Sequence, residues 1–409
     1  MYNNLASKFI DWLDERFPLK TLWKEHMSEY YAPKNFNFWY YFGSLALLVF
    51  GIQIISGIWL TMFYNPSSAE AFDSVEYIMR DIRYGWLIRY IHSTGASFFF
   101  IVVYLHVFRG LLYGSYKKPR ELLWIIGVVI FLCLLAECFF GYLLPWGNMS
   151  FWGAQVITSL FGAIPVIGAS FVELIRGDYT ISGATLNRFF SIHVSAMPLI
   201  FLILIMLHLI ALHEVGSNNP DGIEIKKNKD IHGIPIDGIP MHPYYTVKDL
   251  FGVSVFFICF FYVVFFSPEF YGFFLEAPNF APADQLATPE HIAPVWYMTP
   301  YYAILRAIPN KLAGVIAMGA SIAILFVLPW LDRSPVKSIR YKGIFSKIAL
   351  IMFIISFFML GYLGMEPPSV VRTFVAQICS FIYFGFFLLM PIYSSLEKTK
   401  ELLTRLKND

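Results

Sequence analysis

Two stretches decide the fold, RYIHSTGASFFFIVVYLHVFR (89–109) and LNRFFSIHVSAMPLIFLILIMLHLIALH (186–213). Each contains an apolar run long enough to cross a bilayer, which takes about 20 residues over ~30 Å of hydrocarbon. Each also holds two histidines inside that run, His92 and His106 in the first and His193 and His208 in the second. Ionisable side chains at membrane depth are costly and mark function.

Working outward, the same apolar character recurs along the 409 residues. The chain is 57% hydrophobic and only 14% charged, against roughly 25% charged in soluble domains. Eight runs reach spanning length, at 41–64, 89–113, 122–144, 188–212, 248–268, 312–331, 345–365 and 371–393. The expectation is an all-α membrane protein with eight transmembrane helices and short interfacial helices in the external segments 145–187 and 269–311. The units are a polar N-terminal segment (1–40), a four-helix bundle (41–213), a loop (214–247), a two-helix unit with the second external segment (248–331), and two last helices with a tail (332–409). A net charge of +2 is too small for a nucleic-acid partner.

Basic residues are distributed unevenly between the two sides. One side holds Lys8, Arg16, Lys20, Lys24 and Lys34, then Arg109, Lys117, Lys118 and Arg120, then Lys226, Lys227, Lys229 and Lys248, then Arg333, Lys337, Arg340, Lys342 and Lys347, and finally Lys398, Lys400, Arg405 and Lys407. The other keeps Arg80, Arg83, Arg89, Arg176, Arg188, Arg306, Lys311 and Arg372. The positive-inside rule places both termini in the cytoplasm, as an even number of spans also requires. Residues 1–36 carry charge throughout and do not read as a signal peptide. The echo HGIPID then GIPMH within 214–246 reads as loop composition. Cys133, Cys138, Cys259 and Cys379 lie in apolar runs and read as small core residues. No CxxCH string is present, so a heme would not be attached covalently through one.

The second and fourth spans run in the same direction, from outside to inside. His92 and His193 therefore fall at an outer level and His106 and His208 at an inner one, roughly 21 Å apart for 14 residues of helix. One histidine from each helix at each level is the arrangement for two stacked bis-histidine hemes. Four unrelated, hydrogen-bonded core histidines are the alternative. Gly43 and Gly57 on the first span and Gly127 and Gly141 on the third repeat the 14-residue interval at matching depths. A flat macrocycle between helices needs positions without a Cβ, although close packing through small residues also uses them. Arg89 and Arg109 stand three residues from His92 and His106, and Arg188 five before His193. They are candidate partners for heme propionates, or residues that snorkel at the membrane edge.

These residues, together with FGSL (42–45), RYIHSTGAS (89–97), HVFRGLLYGSY (106–116), GYLLPWGNMSFWGAQVIT (141–158), LNRFFSIH (186–193), HEVGSNNPDG (213–222), HPYYTVKDL (242–250), PVWY (294–297) and AILRAIPNKLAGV (303–315), resemble the cytochrome b family of respiratory quinol–cytochrome c reductases. The resemblance covers nearly the whole chain. It implies two b-type hemes and two quinone sites. The outer, quinol-oxidising site would use Tyr142, Gly153, Pro294, Trp296, Tyr297 and Tyr302. The inner, quinone-reducing site would use His213, Ser217, Asn218, Lys248 and Asp249, with His213 and Asp249 suited to proton relay. It also implies a bacterial inner-membrane complex, bathed in lipid and homodimeric, with a Rieske iron–sulfur protein and a cytochrome c1-type subunit as partners. No sequence element here binds an iron–sulfur cluster or a c-type heme. The unsplit chain favours the respiratory over the photosynthetic relatives. A di-heme dehydrogenase anchor or an inverted-repeat transporter are the competing classes; the first is usually shorter, and the second carries no b-type absorbance.

Two departures from the family pattern stand out. The family commonly carries an acid between the proline and tryptophan of PxWY, and here that position is Val295. Glu290 and His291, just upstream, are the expected substitutes for outer proton release, because an imidazole titrates close to neutrality. Second, His193 and His208 are 15 residues apart, not 14. One extra residue turns a regular helix by about 100°, so a local widening is predicted at or just before Pro198.

Overall fold

In a computed structural model of the chain, which describes residues 2–401, eight helices have the length and apolarity to cross a membrane. They are α1 (Phe38–Thr61), α2 (Gly85–Tyr113), α3 (Glu121–Leu143), α4 (Gly183–Val215), α5 (Met241–Phe266), α6 (Lys311–Leu331), α7 (Ile344–Met365) and α8 (Val370–Leu388). The expected basic tail residues Arg405 and Lys407 lie outside the described residues.

α5 runs as regular helix from Thr246, close to the expected 248, behind a kinked turn over Met241–Tyr245. Two boundaries differ more. α4 starts at Gly183, five residues before the apolar run, because the Ser182 cap begins the helix within the polar stretch GATLNR. Apolarity alone cannot register such a start. α8 stops at Leu388, and Met390–Leu396 forms a separate short helix with Pro391 in its first turn, where proline suits a helix start. Side-chain caps set other ends. Ser182 and Thr185 form a reciprocal capping box at the head of α4, and the Asn310 side chain accepts from the Ala313 amide at the head of α6. α2 ends at Gly114, at φ +64°, where a Cβ would stand 2.5 Å from the Lys337 carbonyl oxygen.

The widening in α4 lies where the extra residue predicts it. Residues Ile192–Ala196 form a π-turn immediately before Pro198. It absorbs one residue and keeps His193 and His208 on the same face of the helix.

α2 is the central helix. Forty-four per cent of its most apolar stretch is buried, against 11% for α4, whose Leu199, Leu202, Ile203, Met206 and Ile210 face outward. One apolar core joins α1–α5 and the Val295–Tyr301 stretch, including Phe98, Phe100, Phe131, Phe201, Phe256 and Phe260. A second joins α6–α8 and reaches the bundle through Trp124, whose indole donates to the Leu325 carbonyl at 2.7 Å. Of the cysteines, Cys379 is buried, Cys133 and Cys138 are partly buried and Cys259 is exposed, so Cys259 is not the core residue expected.

The helix ends on the Arg120 side are clamped. The Arg120 guanidinium grips the Glu224 carboxylate with Nη1 and Nη2 at 2.6 and 2.9 Å, and Nε donates to the Gly216 carbonyl. Lys337 pairs with the same carboxylate. Burial pushes the Glu224 carboxyl up, but the two cations outweigh it and hold it below the usual range. The second GIP of the loop echo has a structural role, because Gly238–Pro240 pairs antiparallel with Tyr31–Pro33 in a two-stranded sheet that an all-helical reading does not anticipate.

The external segments fold into short helices, as expected, at Asn148–Leu160, Gly168–Arg176 and Thr299–Ala307. They also strap onto each other. The Asn148 amide donates to the Ala281 carbonyl, the Ala283 amide to the Trp146 carbonyl, and the Ser150 amide to the Asn279 side chain, each at 2.9 Å. This strap brings the 275–280 stretch against the end of α3.

Candidate heme and quinol site

The level nearer the external segments is called outer here, and the other inner. At the outer level the His92 and His193 rings stand 6.2 Å apart at 88°, and at the inner level the His106 and His208 rings stand 6.4 Å apart at 59°. Two imidazoles bonded to one iron, each at about 2.0–2.1 Å, bring their ring centres to roughly 6.3 Å. Both pairs therefore match the separation a bis-histidine iron requires.

The four glycines meet the imidazoles themselves. A Cβ on Gly57 would stand 3.2 Å from Cε1 of His92, on Gly43 3.3 Å from that of His106, on Gly127 3.3 Å from that of His208, and on Gly141 only 2.5 Å from that of His193. Each glycine admits the edge of one ring, a more specific role than general room for a macrocycle. With the 590 Å³ cavity between α1, α2, α3 and α4, lined by both outer histidines, the donor set and the space fit a heme at the outer level. At the inner level the matching ring separation and glycine backing support the same fit.

Arg89 lines the cavity beside His92. Arg109 lies 5.0 Å over the Tyr40 ring, and its Nε is buried without a hydrogen-bond partner among the described residues. Arg188 does not line the cavity; it is exposed, and its Nη1 donates to the Leu174 carbonyl at 2.6 Å, tying α4 to the external segment.

The same cavity extends to Tyr142, Val295 and Tyr297. Tyr297 is buried, stacked on Phe100 at 3.8 Å. Gly153 faces Tyr142, 3.7 Å from where its Cβ would be. Pro294, Trp296 and Tyr302 are not part of the lining. The Trp296 indole donates to the Ser97 hydroxyl, and the Tyr302 hydroxyl to the Ile292 carbonyl.

The expected proton group is misplaced. Glu290 is exposed, and His291 shares a 2.9 Å hydrogen bond with the Met365 carbonyl; neither lines the cavity. The acid that does is Glu276, whose Oε2 accepts from the Tyr142 hydroxyl at 2.6 Å. Burial raises the Glu276 carboxyl above its usual range, against a smaller lowering by that hydrogen bond. Glu276 precedes Pro294 by 18 residues and reaches the cavity only through the strap. The available signal was an acid enclosed by apolar residues in FFLEAP. A second acid was also missed. Glu137, in the interior of α3, lines the cavity and lies 3.1 Å from Nδ1 of His193. Its signal was an acidic residue at membrane depth.

At the inner face the residues fall into two groups. His213, at the end of α4, stacks on Tyr30 at 4.6 Å, and Tyr30 hydrogen-bonds to Ser217. Asp249, early in α5, lies against the Ser44 hydroxyl of α1, and neighbouring Lys248 is exposed, over the Tyr245 ring. Asn218 is buried, and its amide donates to the Tyr113 carbonyl at 2.6 Å, a bond that holds the loop to α2.

Comparison with known proteins follows the same division. Residues 27–216 match the family model described as cytochrome b/b6/petB, and 282–384 match that described as cytochrome b(C-terminal)/b6/petD. The chain is 61% identical over 399 residues to cytochrome b of Allochromatium vinosum, covering 96% of each. It is 49% identical over 402 residues to cytochrome b of Rhodospirillum rubrum, covering 98% of this chain and 96% of that one. It is 45% identical to a protein named cytochrome b/c1 of Bradyrhizobium diazoefficiens, covering 95% of this chain and 55% of that one. A solved structure titled hyperthermophilic respiratory Complex III superposes with a TM-score of 0.88 at 42% identity, over 95% of this chain and 99% of that one.

Proposed function

The chain belongs to the cytochrome b family, the heme-binding multi-pass membrane subunits of complex III-type respiratory complexes, and from that premise we propose that it oxidises quinol at its outer face and reduces quinone at its inner face. The observation that carries the reading is one cavity that places Tyr142 and Glu276 together with the outer histidine pair.

His92 and His193 would hold an outer b-type heme and His106 and His208 an inner one; bound there, the hemes would supply one-electron capacity at the two levels. Arg89 and Arg109 neutralise propionates. Quinol oxidation releases two electrons and two protons. The Glu276 carboxylate takes one proton from a quinol hydroxyl and the second passes to water at the outer face, while the Tyr142 hydroxyl, released from Glu276, holds the quinol oxygen. One electron leaves outward to a Rieske iron–sulfur partner and on to a cytochrome c1-type subunit. The name of the Bradyrhizobium relative, cytochrome b/c1, supports that second partner. The other electron passes inward. After two such turnovers a quinone at the inner site has gained two electrons and takes up two protons through His213 and Asp249, with Ser217 and Lys248 as the proposed holders of its oxygens. Protons are thus released outside and taken up inside.

The excess of Lys and Arg on one side supports both termini in the cytoplasm, and the bacterial relatives support a bacterial inner membrane. The outward apolar face of α4 supports lipid and a second copy of the chain as neighbours. The test is quinol-driven reduction of the purified complex, followed by reduced-minus-oxidised absorbance. The reading requires b-type bands that appear on adding quinol; their absence in a well-folded preparation contradicts it.

A further inference from the structure

We propose that Glu137 is a positioning residue for the outer ligand pair, its carboxylate charge 3.1 Å from Nδ1 of His193, a ring nitrogen hydrogen-bonded to the backbone carbonyl of Glu137, lowering the reduction potential of the group held there. The inference rests on the reading of the four histidines as heme ligands.

The observation is a broken symmetry. Nδ1 of His193 lies 3.1 Å from Oε1 of Glu137 and 3.2 Å from that residue's own carbonyl. Nδ1 of His92 meets a neutral hydroxyl, Ser56, at 2.9 Å. The single proton of that hydroxyl goes to the Ile52 carbonyl at 2.6 Å, so it meets the imidazole as an acceptor. Nδ1 of His106 and of His208 is buried without a side-chain partner among the described residues. Of four ligand histidines, one alone faces a carboxylate.

Stability does not account for this acid. It lies within α3, and its Oε2 is buried with no hydrogen-bond partner among the described residues, an arrangement that costs desolvation energy. A buried polar atom left unsatisfied calls for a functional reason. The Glu137 carbonyl fixes the ring by hydrogen bonding, and the carboxylate beside it raises the basicity of the ligand. A more electron-rich ligand beside a negative charge favours the oxidised, more positive state, which lowers the potential. The inner pair lacks this feature. Glu137 therefore biases the electron inward, away from the level at which it enters.

The experiment is a potentiometric titration of b-type absorbance in the intact complex, comparing wild type with Glu137→Gln and Glu137→Ala. Glutamine keeps an acceptor without the charge, and alanine removes both. The outer component is expected to move upward in both variants by at least tenfold in its electron-exchange equilibrium, which is 59 mV for a one-electron couple, with the inner component unmoved. Two resolved components at wild-type potentials in both variants overturn the inference, as does an equal shift of both. Loss of the outer heme from both variants assigns Glu137 to assembly and also overturns it. A wild-type complex without b-type heme removes the ligand reading itself, an outcome distinct from all of these.

Discussion

Glu276 and Tyr142 are joined at 2.6 Å in the wall of the cavity that Val295 also lines, and the proposed proton acceptor is that glutamate. An acceptor must be ionised, so quinol oxidation falls as pH drops through the Glu276 pKa. Burial raises that pKa, which places the acidic limb at higher pH than an ordinary glutamate, near 4.3, would give. Glu276→Gln is expected to lower the rate on the order of 10²-fold and to abolish this limb, with heme content retained. A Gln variant whose rate and pH profile match wild type returns the proton to water or to a partner. Sequence reading saw that position 295 lacked an acid but chose Glu290 and His291, its near neighbours. Distance along the chain misled it, because the strap between 146–150 and 279–283 sets which acid reaches the cavity. The histidines and glycines were legible because their interval is a property of one helix. Glu276 and Glu137 were not, because each acts across a contact between separate segments.

In α4, fifteen residues separate His193 from His208, and the π-turn Ile192–Ala196 takes up the surplus. Helical periodicity alone was enough to predict this, because a regular helix would have turned one ring by about 100°. The start of α4 was not legible from apolarity, because Gly183–Arg188 is largely polar and the Ser182 cap begins the helix there. If the π-turn exists to absorb one residue, removing a residue from it is tolerated. Deletion of Ser195 is expected to give a regular helix with a 14-residue interval and both heme signals retained. Insertion of one alanine between Met197 and Leu207 is expected to cost the heme at one level. Loss of a heme in the deletion, with retention of both in the insertion, contradicts the assignment. Optical spectra of the two purified variants decide it.

Across the molecule, the spans and the interfacial helices followed from apolar run length, whereas the Tyr31–Pro33/Gly238–Pro240 sheet and the Arg120–Glu224–Lys337 clamp did not, because no local pattern encodes a pairing between segments 100 to 200 or so residues apart. The bundle α1–α4 carries both histidine levels, and the outer one opens toward the external strap while the inner one lies toward the clamp. The central claim is that one chain holds two hemes, each between one histidine of α2 and one of α4. The most direct measurement is a redox titration of b-type absorbance in the purified complex, for wild type and His208→Ala. The expected result is two components in the wild type and, in the variant, loss of the inner one with the outer at least partly occupied. A single component in the wild type, or two undiminished components in His208→Ala, would contradict it.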